Sequence, residues 1–228
     1  MEIVNKRQWK INKILFYLFK ERFRKKIDFN FPEGLNRWDL INQIIYLKNF
    51  SSYLEIGCDD DHAFSKIKLE DKIGVDPSSG GNFRGTSDDF FQQNRRKFDC
   101  IFIDGLHEYN QVKKDINNSL NYLNEGGVIF VHDCMPRSFF EQAIPRSQYV
   151  WTGDVWKHIV ELRTKEHLDI CVGNLDMGLG IILKRKNSNI LKKNTKNFKK
   201  LKFKEYYENY QNYLNLINHK EIINFIDR

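Results

Sequence analysis

The amino-acid sequence predicts an α/β fold in which a mostly parallel sheet is covered by helices on both faces. Short apolar runs bounded by Gly, Asp or Pro alternate with segments of helical length, which is typical of parallel strands joined by crossover helices. The length of 228 residues suffices for one such domain with a full core. A hydrophobic content of 41% and an aromatic content of 14% exclude a disordered chain.

The predicted elements follow in order along the chain. Apolar residues at helical spacing indicate a basic amphipathic helix over residues 8–25 and a second helix over 35–48. Four apolar runs then predict strands at residues 53–57, 73–76, 98–104 and 128–133. A helix over 154–165 precedes a hairpin formed by 168–172 and 179–183, and the tail is predicted to be helical from about 203 to 226.

The charge is distributed unevenly along the chain. Residues 1–31 carry a net charge of +6, residues 32–183 carry −7 and residues 184–228 carry +8, within a total of +7. We therefore divide the chain into an N-terminal basic helical extension (1–49), a central α/β domain (50–186) and a basic helical C-terminal tail (187–228). Basic ends of this kind suit anionic partners, although a solvated lysine-rich face has the same composition.

The cysteines and the apolar runs bear on the compartment. Cys58, Cys100, Cys134 and Cys171 lie far apart without the paired spacing of a zinc site, which indicates free thiols. The apolar run at residues 14–19 is too short and too closely flanked by charge for a signal peptide or a membrane span. We expect a cytoplasmic protein without a transmembrane segment.

Polar residues follow the predicted strands, at the edge where open parallel sheets bind ligands. The first strand ends in Glu55-Ile56-Gly57, where glycine permits a sharp turn close to a ligand. Asp76 ends the second strand 19 positions after Gly57, a spacing that suits the two hydroxyls of a ribose. A strand-end aspartate also caps turns, so Asp76 alone does not decide between these roles.

Five segments in this order and spacing resemble class I S-adenosylmethionine-dependent methyltransferases, in the branch of sugar and macrolide-sugar O-methyltransferases. The resemblance covers about residues 50–185, and its most specific parts are the FIDGLH and VHDC segments. The segments are Glu55–Gly57, Ile73–Pro77, Thr86–Phe91, Phe102–His107 and Val131–Cys134.

The resemblance implies a Rossmann-like sheet of seven strands whose last strand is antiparallel, with extra helices at both ends of the chain. It also implies S-adenosylmethionine as cofactor. Its binding residues would be Glu55 and Gly57 at the methionine end, Asp76 on the ribose, Ser87 and Asp88 near the adenine, and Asp104. The glycine-rich turn of the family is replaced here by Cys58–His62. The three aspartates in that segment either meet the cofactor's ammonium group or cap the next helix, and we favour capping for at least two of them.

The reacting centre is predicted above Asp104, His107, His132 and Asp133. Methyl transfer to oxygen requires alignment of the acceptor and removal of its proton. Asp104 and Asp133 are hard ligands suited to Mg²⁺ or another divalent cation, with His132 either a third ligand or the base. His107 is the preferred general base because imidazole titrates near neutral pH, but a surface loop histidine would look the same in the sequence.

The acceptor is predicted to be a small, sugar-type hydroxyl such as that of a glycan or nucleotide sugar. Segments 135–137 and 151–157 would line its pocket, unless Asp154 is a helix cap and Trp156 a core residue. The GxGxxG pattern of a nicotinamide-dependent dehydrogenase is absent after Leu54. The alternatives are a nucleic-acid methyltransferase and a binding module without activity. We expect no specific nucleic-acid complex, and weak association with a membrane surface or oligomerisation remains open.

Overall fold

The computed structural model describes residues 6–228, so the first five residues of the predicted N-terminal extension lie outside the described part. Seven α-helices are present in these residues: α1 (Lys6–Phe19), α2 (Arg37–Leu47), α3 (Ser87–Gln93), α4 (Tyr109–Asn121), α5 (Val155–Leu162), α6 (Phe203–Leu214) and α7 (Ile222–Asp227). The strands are β1 (Tyr53–Ile56), β2 (Lys72–Asp76), β3 (Phe83–Arg84), β4 (Phe98–Ile103), β5 (Leu123–Val131), β6 (Asp169–Asn174), β7 (Leu179–Leu183) and β8 (Leu216–Asn218).

The strands form one mixed sheet in the order β3-β2-β1-β4-β5-β7-β6-β8. Neighbouring strands are parallel except that β7 runs antiparallel to both β5 and β6. This confirms the predicted α/β fold, with the hairpin of β6 and β7 at its expected place. The sheet has eight strands rather than seven, because the C-terminal segment adds β8 in parallel to β6.

Apolar side chains cover both faces of the sheet. On one face the core includes residues of α4, α5 and α6, among them Trp156 and Tyr206. On the other face, Leu40, Ile41, Ile44 and Ile45 of α2 pack with residues of α7 and the strands. The basic ends of the chain thus contribute helices to the covering layers of the central sheet.

Three predicted helices differ from the structure. The first helix ends at Phe19 rather than near 25, since the following residues extend along the protein and the amide of Ile27 donates to the carbonyl of Arg137. No helix follows β1, because the connection to β2 holds only a three-residue 3-10 turn at Phe64–Lys66. The C-terminal helix is interrupted at Asn215, which adopts a positive φ of 46° before β8.

The four cysteines are buried free thiols, as the spacing predicted. Among residues 6–228, no helix is both long enough and apolar enough to span a membrane.

Candidate active site

Two adjacent parallel strands carry the acidic residues of the site. Ile103 of β4 pairs with Val131 of β5, so Asp104 and Asp133 follow at the same edge of the sheet. Asp133 has a positive φ of 59°, an unfavourable conformation for a residue with a Cβ atom. Such backbone strain is concentrated at functional sites in proteins.

Two histidines contact both of these carboxylates. His107 lies with Nε2 3.3 Å from Asp104 Oδ1 and Nδ1 3.1 Å from Asp133 Oδ2. His132 lies with Nδ1 3.1 Å from Asp104 Oδ1 and 3.6 Å from Asp133 Oδ1. The structure therefore brings together all four residues predicted for the reacting centre.

The charges in this cluster stabilise one another. The neighbouring histidines and Arg37 hold the pKa of Asp104 well below its usual range, despite burial that acts in the opposite direction. Burial acts to lower the pKa of His107, but the carboxylates of Asp133 and Asp104 outweigh it and raise this pKa above its ordinary value. The pKa of His132 is raised for the same reason. The carboxylates of the cluster therefore favour the protonated form of both imidazoles.

Arg37 and Asp176 also belong to the cluster, although the sequence did not point to them. Arg37, the first residue of α2, places Nη2 3.3 Å from Asp104 Oδ2 and Nη1 3.0 Å from Asp176 Oδ2. The backbone N–H of Arg37 also donates to Asp176 Oδ2, at 3.1 Å. Asp176 lies in the β6–β7 turn, and its backbone carbonyl is 2.8 Å from His132 Nε2. The only local signals were a charged residue after the Asn36 cap and an aspartate in a tight turn.

The contact of Asp176 with His132 bears on metal binding. An Nε2–H that donates to this carbonyl leaves Nδ1 as the free nitrogen of a neutral His132, and Nδ1 faces Asp104 and Asp133. The ligand atoms of Asp104, His107 and Asp133 also lie within 4.8 Å of one another. Two carboxylates with imidazole nitrogens are a donor set that fits a divalent cation.

Glu55 and Gly57 lie at the end of β1, on the side predicted for the cofactor. Glu55 is 1% exposed, and the hydroxyl of Tyr53 donates to its Oε2 at 2.5 Å. Burial raises the pKa of Glu55 from its ordinary 4.5 to about 8. Gly57 has a φ of 87°, and a Cβ atom there would lie 2.3 Å from the carbonyl oxygen of Asp104. Only glycine allows β1 to turn so close to β4.

Asp76 accepts hydrogen bonds from backbone amides of two loops. Its Oδ1 accepts from Ser78 and Ser79 at 2.8 and 2.9 Å, and its Oδ2 accepts from Asp59 at 3.0 Å. These bonds lower the pKa of the carboxyl in spite of its desolvation. Asp76 thus joins the loop after β1 to the loop after β2.

The aspartates after β1 do not cap a helix as we expected. The segment adopts positive φ angles at Asp59 and Asp61, and no α-helix lies between β1 and β2. Instead, Asp61 Oδ1 accepts from the amide of Gly81 at 2.6 Å, which ties the same two loops together a second time. Asp60 accepts only from the nearby amide of His62, at 3.2 Å.

Ser87 and Asp88 lie at the start of α3, beside α4. The Ser87 hydroxyl donates to Asp115 Oδ1 at 2.6 Å and accepts from Gln111 at 3.2 Å. Asp88 forms an ion pair with Lys114 at 2.9 Å. Both predicted adenine-side residues therefore participate in polar contacts between α3 and α4.

The two tryptophans of the predicted pocket segment 151–157 occupy different environments. Trp151 stacks on His107 with a centroid distance of 5.3 Å, which places an aromatic ring at the rim of the site. Trp156 is fully buried and donates from Nε1 to Gln142, so it is a core residue and not part of the pocket lining. Asp154 caps α4 instead of its own helix, because its Oδ1 accepts from the amide of Tyr109 at 2.6 Å.

The similarity to known proteins agrees with this fold. A family model described as a methyltransferase domain matches residues 77–134, about a quarter of the chain. The O-methyltransferase from Bacillus cereus in complex with S-adenosylhomocysteine (SAH) has a similar structure, with a TM-score of 0.52 and 11% identity over 79% of this chain and 100% of that chain. An SAH-bound methyltransferase from Podospora anserina has a TM-score of 0.51 and 13% identity over 82% of this chain and 99% of that chain.

No curated protein matches the chain in sequence. At these identities the two structures show the fold alone. Together with the family match over residues 77–134, they confirm the predicted methyltransferase-type fold.

Proposed function

We propose that this chain is an S-adenosylmethionine-dependent O-methyltransferase that acts on a small, sugar-type hydroxyl with the help of a divalent cation. The observation that carries the proposal is the cluster of Asp104, His107, His132 and Asp133 at the carboxyl ends of β4 and β5, in a methyltransferase fold. Two solved structures with this fold hold SAH, which supports the choice of cofactor.

The cofactor would bind at the ends of β1 and β2, next to the cluster. Glu55 and Gly57 are proposed to contact its methionine end, where the ammonium group would favour the ionised form of Glu55. Asp76 is proposed to bind the ribose. Since its oxygens already accept amides from both adjoining loops, ribose binding requires a rearrangement of those bonds. Ser87 and Asp88 are proposed for the adenine side, and Asp104 for the boundary with the reacting centre.

The cation would be held by Asp104 and Asp133 together with the imidazole of His132. A cation at this place would neutralise the carboxylates and acidify an acceptor hydroxyl. The same carboxylates raise the pKa of both histidines. A cation that neutralises the carboxylates would weaken this effect and favour the neutral imidazole, which is the form that accepts a proton. With His132 as the ligand, His107 is the proposed base, and the remaining groups of the cluster would orient the acceptor.

The rim suits a sugar ring. Trp151 provides an aromatic surface next to His107, and Arg37 provides a cation within the cluster. Sugars combine apolar ring faces with hydroxyl groups, so an aromatic ring beside charged hydrogen-bonding groups is the expected environment.

Calorimetry with S-adenosylmethionine and SAH tests the cofactor. We expect both to bind wild type, and Asp76→Asn to weaken binding at least tenfold, while exposed Asp227→Asn leaves it unchanged. Absence of binding at millimolar concentration would refute the assignment.

A methyl-transfer assay on nucleotide sugars tests the cation and the acceptor. We expect exhaustive chelation and Asp133→Asn to abolish turnover with cofactor binding retained. Full activity after chelation would exclude the cation, and cofactor binding without turnover on any acceptor would favour a binding module.

A further inference from the structure

Helix α1 has two different faces. Its inner face packs on the segment before α5, with Phe16 stacked on Phe139 at 5.8 Å and Lys13 over the ring of Phe140. Its outer face carries five large apolar side chains that remain exposed, with Ile14 60% and Phe19 76% accessible. These five residues are Ile11, Ile14, Leu15, Leu18 and Phe19. Their helical spacing makes one continuous apolar stripe.

The segment that carries this stripe is strongly basic. Residues 6–26 contain nine Lys or Arg residues and one acid, Glu21. The Glu21 carboxylate, which lines a surface pocket with Lys202 and Lys204, accepts from the backbone amides of Phe203 and Lys204 at 2.8 and 2.7 Å. The only acid in this segment is therefore used to cap α6.

The C-terminal tail adds to the same cationic surface. A surface pocket of about 460 Å³ is lined by residues of both ends of the chain, among them Leu18 and Phe19 from α1 and Lys202 and Lys204 from the tail. Lys199 and Lys200 precede these lysines and are also exposed. The two basic ends, which are separate in the sequence, thus meet at the end of the apolar stripe.

We infer that the outer face of α1, with Lys202 and Lys204, docks on an anionic lipid membrane surface. Aliphatic and aromatic side chains would enter the boundary between headgroups and acyl chains, while the surrounding cations attract anionic headgroups. A second copy of the chain is a poorer occupant, because it would bring two cationic rims together. A nucleic acid would leave the apolar centre of the stripe without a matching surface.

The docking face is also connected to the candidate active site. The guanidinium of Arg146 lies between the rings of Trp9 on α1 and Trp151, at 5.0 and 5.5 Å. Asn12 of α1 donates to the carbonyl of Arg146 at 2.8 Å. Since Trp151 stacks on His107, docking through α1 would bring the rim of the site near the lipid surface. Docking through α1 requires no particular reaction at the site.

Cosedimentation of the full chain with vesicles tests this inference. We expect binding to vesicles of phosphatidylcholine and phosphatidylglycerol, little binding to phosphatidylcholine alone, and a decrease with added salt. Ile14→Glu with Leu18→Glu should lower the partition coefficient at least tenfold. Tyr46→Glu is the matched control, because Tyr46 is 83% exposed on α2 and should leave binding unchanged. Circular dichroism and thermal melting would establish that each variant is folded.

Three results would overturn the inference. The first is no binding of wild type to anionic vesicles at low salt. The second is equal loss of binding by the α1 double variant and the Tyr46 control. The third is a stable dimer, or a tight complex with RNA or DNA, that competes with vesicles and is abolished by the same double variant. That result would assign the outer face of α1 to the second copy or to the nucleic acid.

Discussion

Replacement of Glu55 by glutamine should change how the stability of the protein depends on pH. The carboxyl is 1% exposed, and burial raises its pKa from 4.5 to about 8. The folded state therefore holds this proton to higher pH than the unfolded state does, so the contribution of Glu55 to stability is fully present below about pH 4.5 and is lost as the pH rises towards 8. One pKa unit corresponds to about 1.4 kcal/mol, so this group lowers the free energy of unfolding by about 3 kcal/mol between about pH 5 and pH 8.

Glutamine has the same shape and accepts a hydrogen bond from Tyr53, but it does not ionise. Urea denaturation of wild type and Glu55→Gln at about pH 5 and pH 8 should show the variant gaining about 3 kcal/mol relative to wild type at the higher pH. Glu125→Gln, an exposed site in β5, is the control and should follow wild type at both values. If the difference between wild type and Glu55→Gln is the same at both pH values, the carboxyl is already ionised in the folded protein and the reasoning fails.

Three further predictions concern the cluster. Arg37→Gln removes the guanidinium beside Asp104, and we expect a loss of about 2 kcal/mol in urea denaturation, less than for a fully buried pair because the side chain is 16% exposed; an unchanged midpoint would contradict this. Gly153→Ala should lower turnover at least tenfold, because φ is 57° and a Cβ atom would lie 1.8 Å from the carbonyl oxygen of His107. Gly126→Ala is the control: its φ of 74° gives the same kind of backbone strain, but a Cβ atom there has nothing within 4 Å. His107→Gln should lower the rate of methyl transfer at least a hundredfold with SAH affinity retained, and a normal rate would remove His107 from the reaction.

The strand ends were predictable because their signals are local. The apolar runs before Glu55, Asp76, Asp104 and Asp133 predict buried parallel strands, and parallel strands bring their carboxyl ends to one edge. The pairing of Ile103 with Val131 gives the register that this argument requires.

The departures have non-local causes. A helix after β1 is the usual expectation in an α/β chain, but here the loops after β1 and β2 are joined by the hydrogen bond from Gly81 to Asp61 and by the amides bound to Asp76. Strand β8 has only three residues, too few for a recognisable alternation. Arg37 and Asp176 are 139 positions apart, and no pattern in either segment indicates that they meet.

The first turn of α2 is linked to the protonation of the cluster. Arg37 contacts Asp176 through both its backbone and its guanidinium, and it contacts Asp104 through the guanidinium. Detachment of α2 would therefore change the proton affinity of these carboxylates and of the histidines that they contact. A ligand that takes up or releases protons at the cluster would therefore change the free energy of α2 detachment. Because linkage is reciprocal, detachment of α2 would change the binding free energy of that ligand by the same amount. The stability of the α2 attachment is thus coupled to ligand binding at the carboxyl ends of β4 and β5.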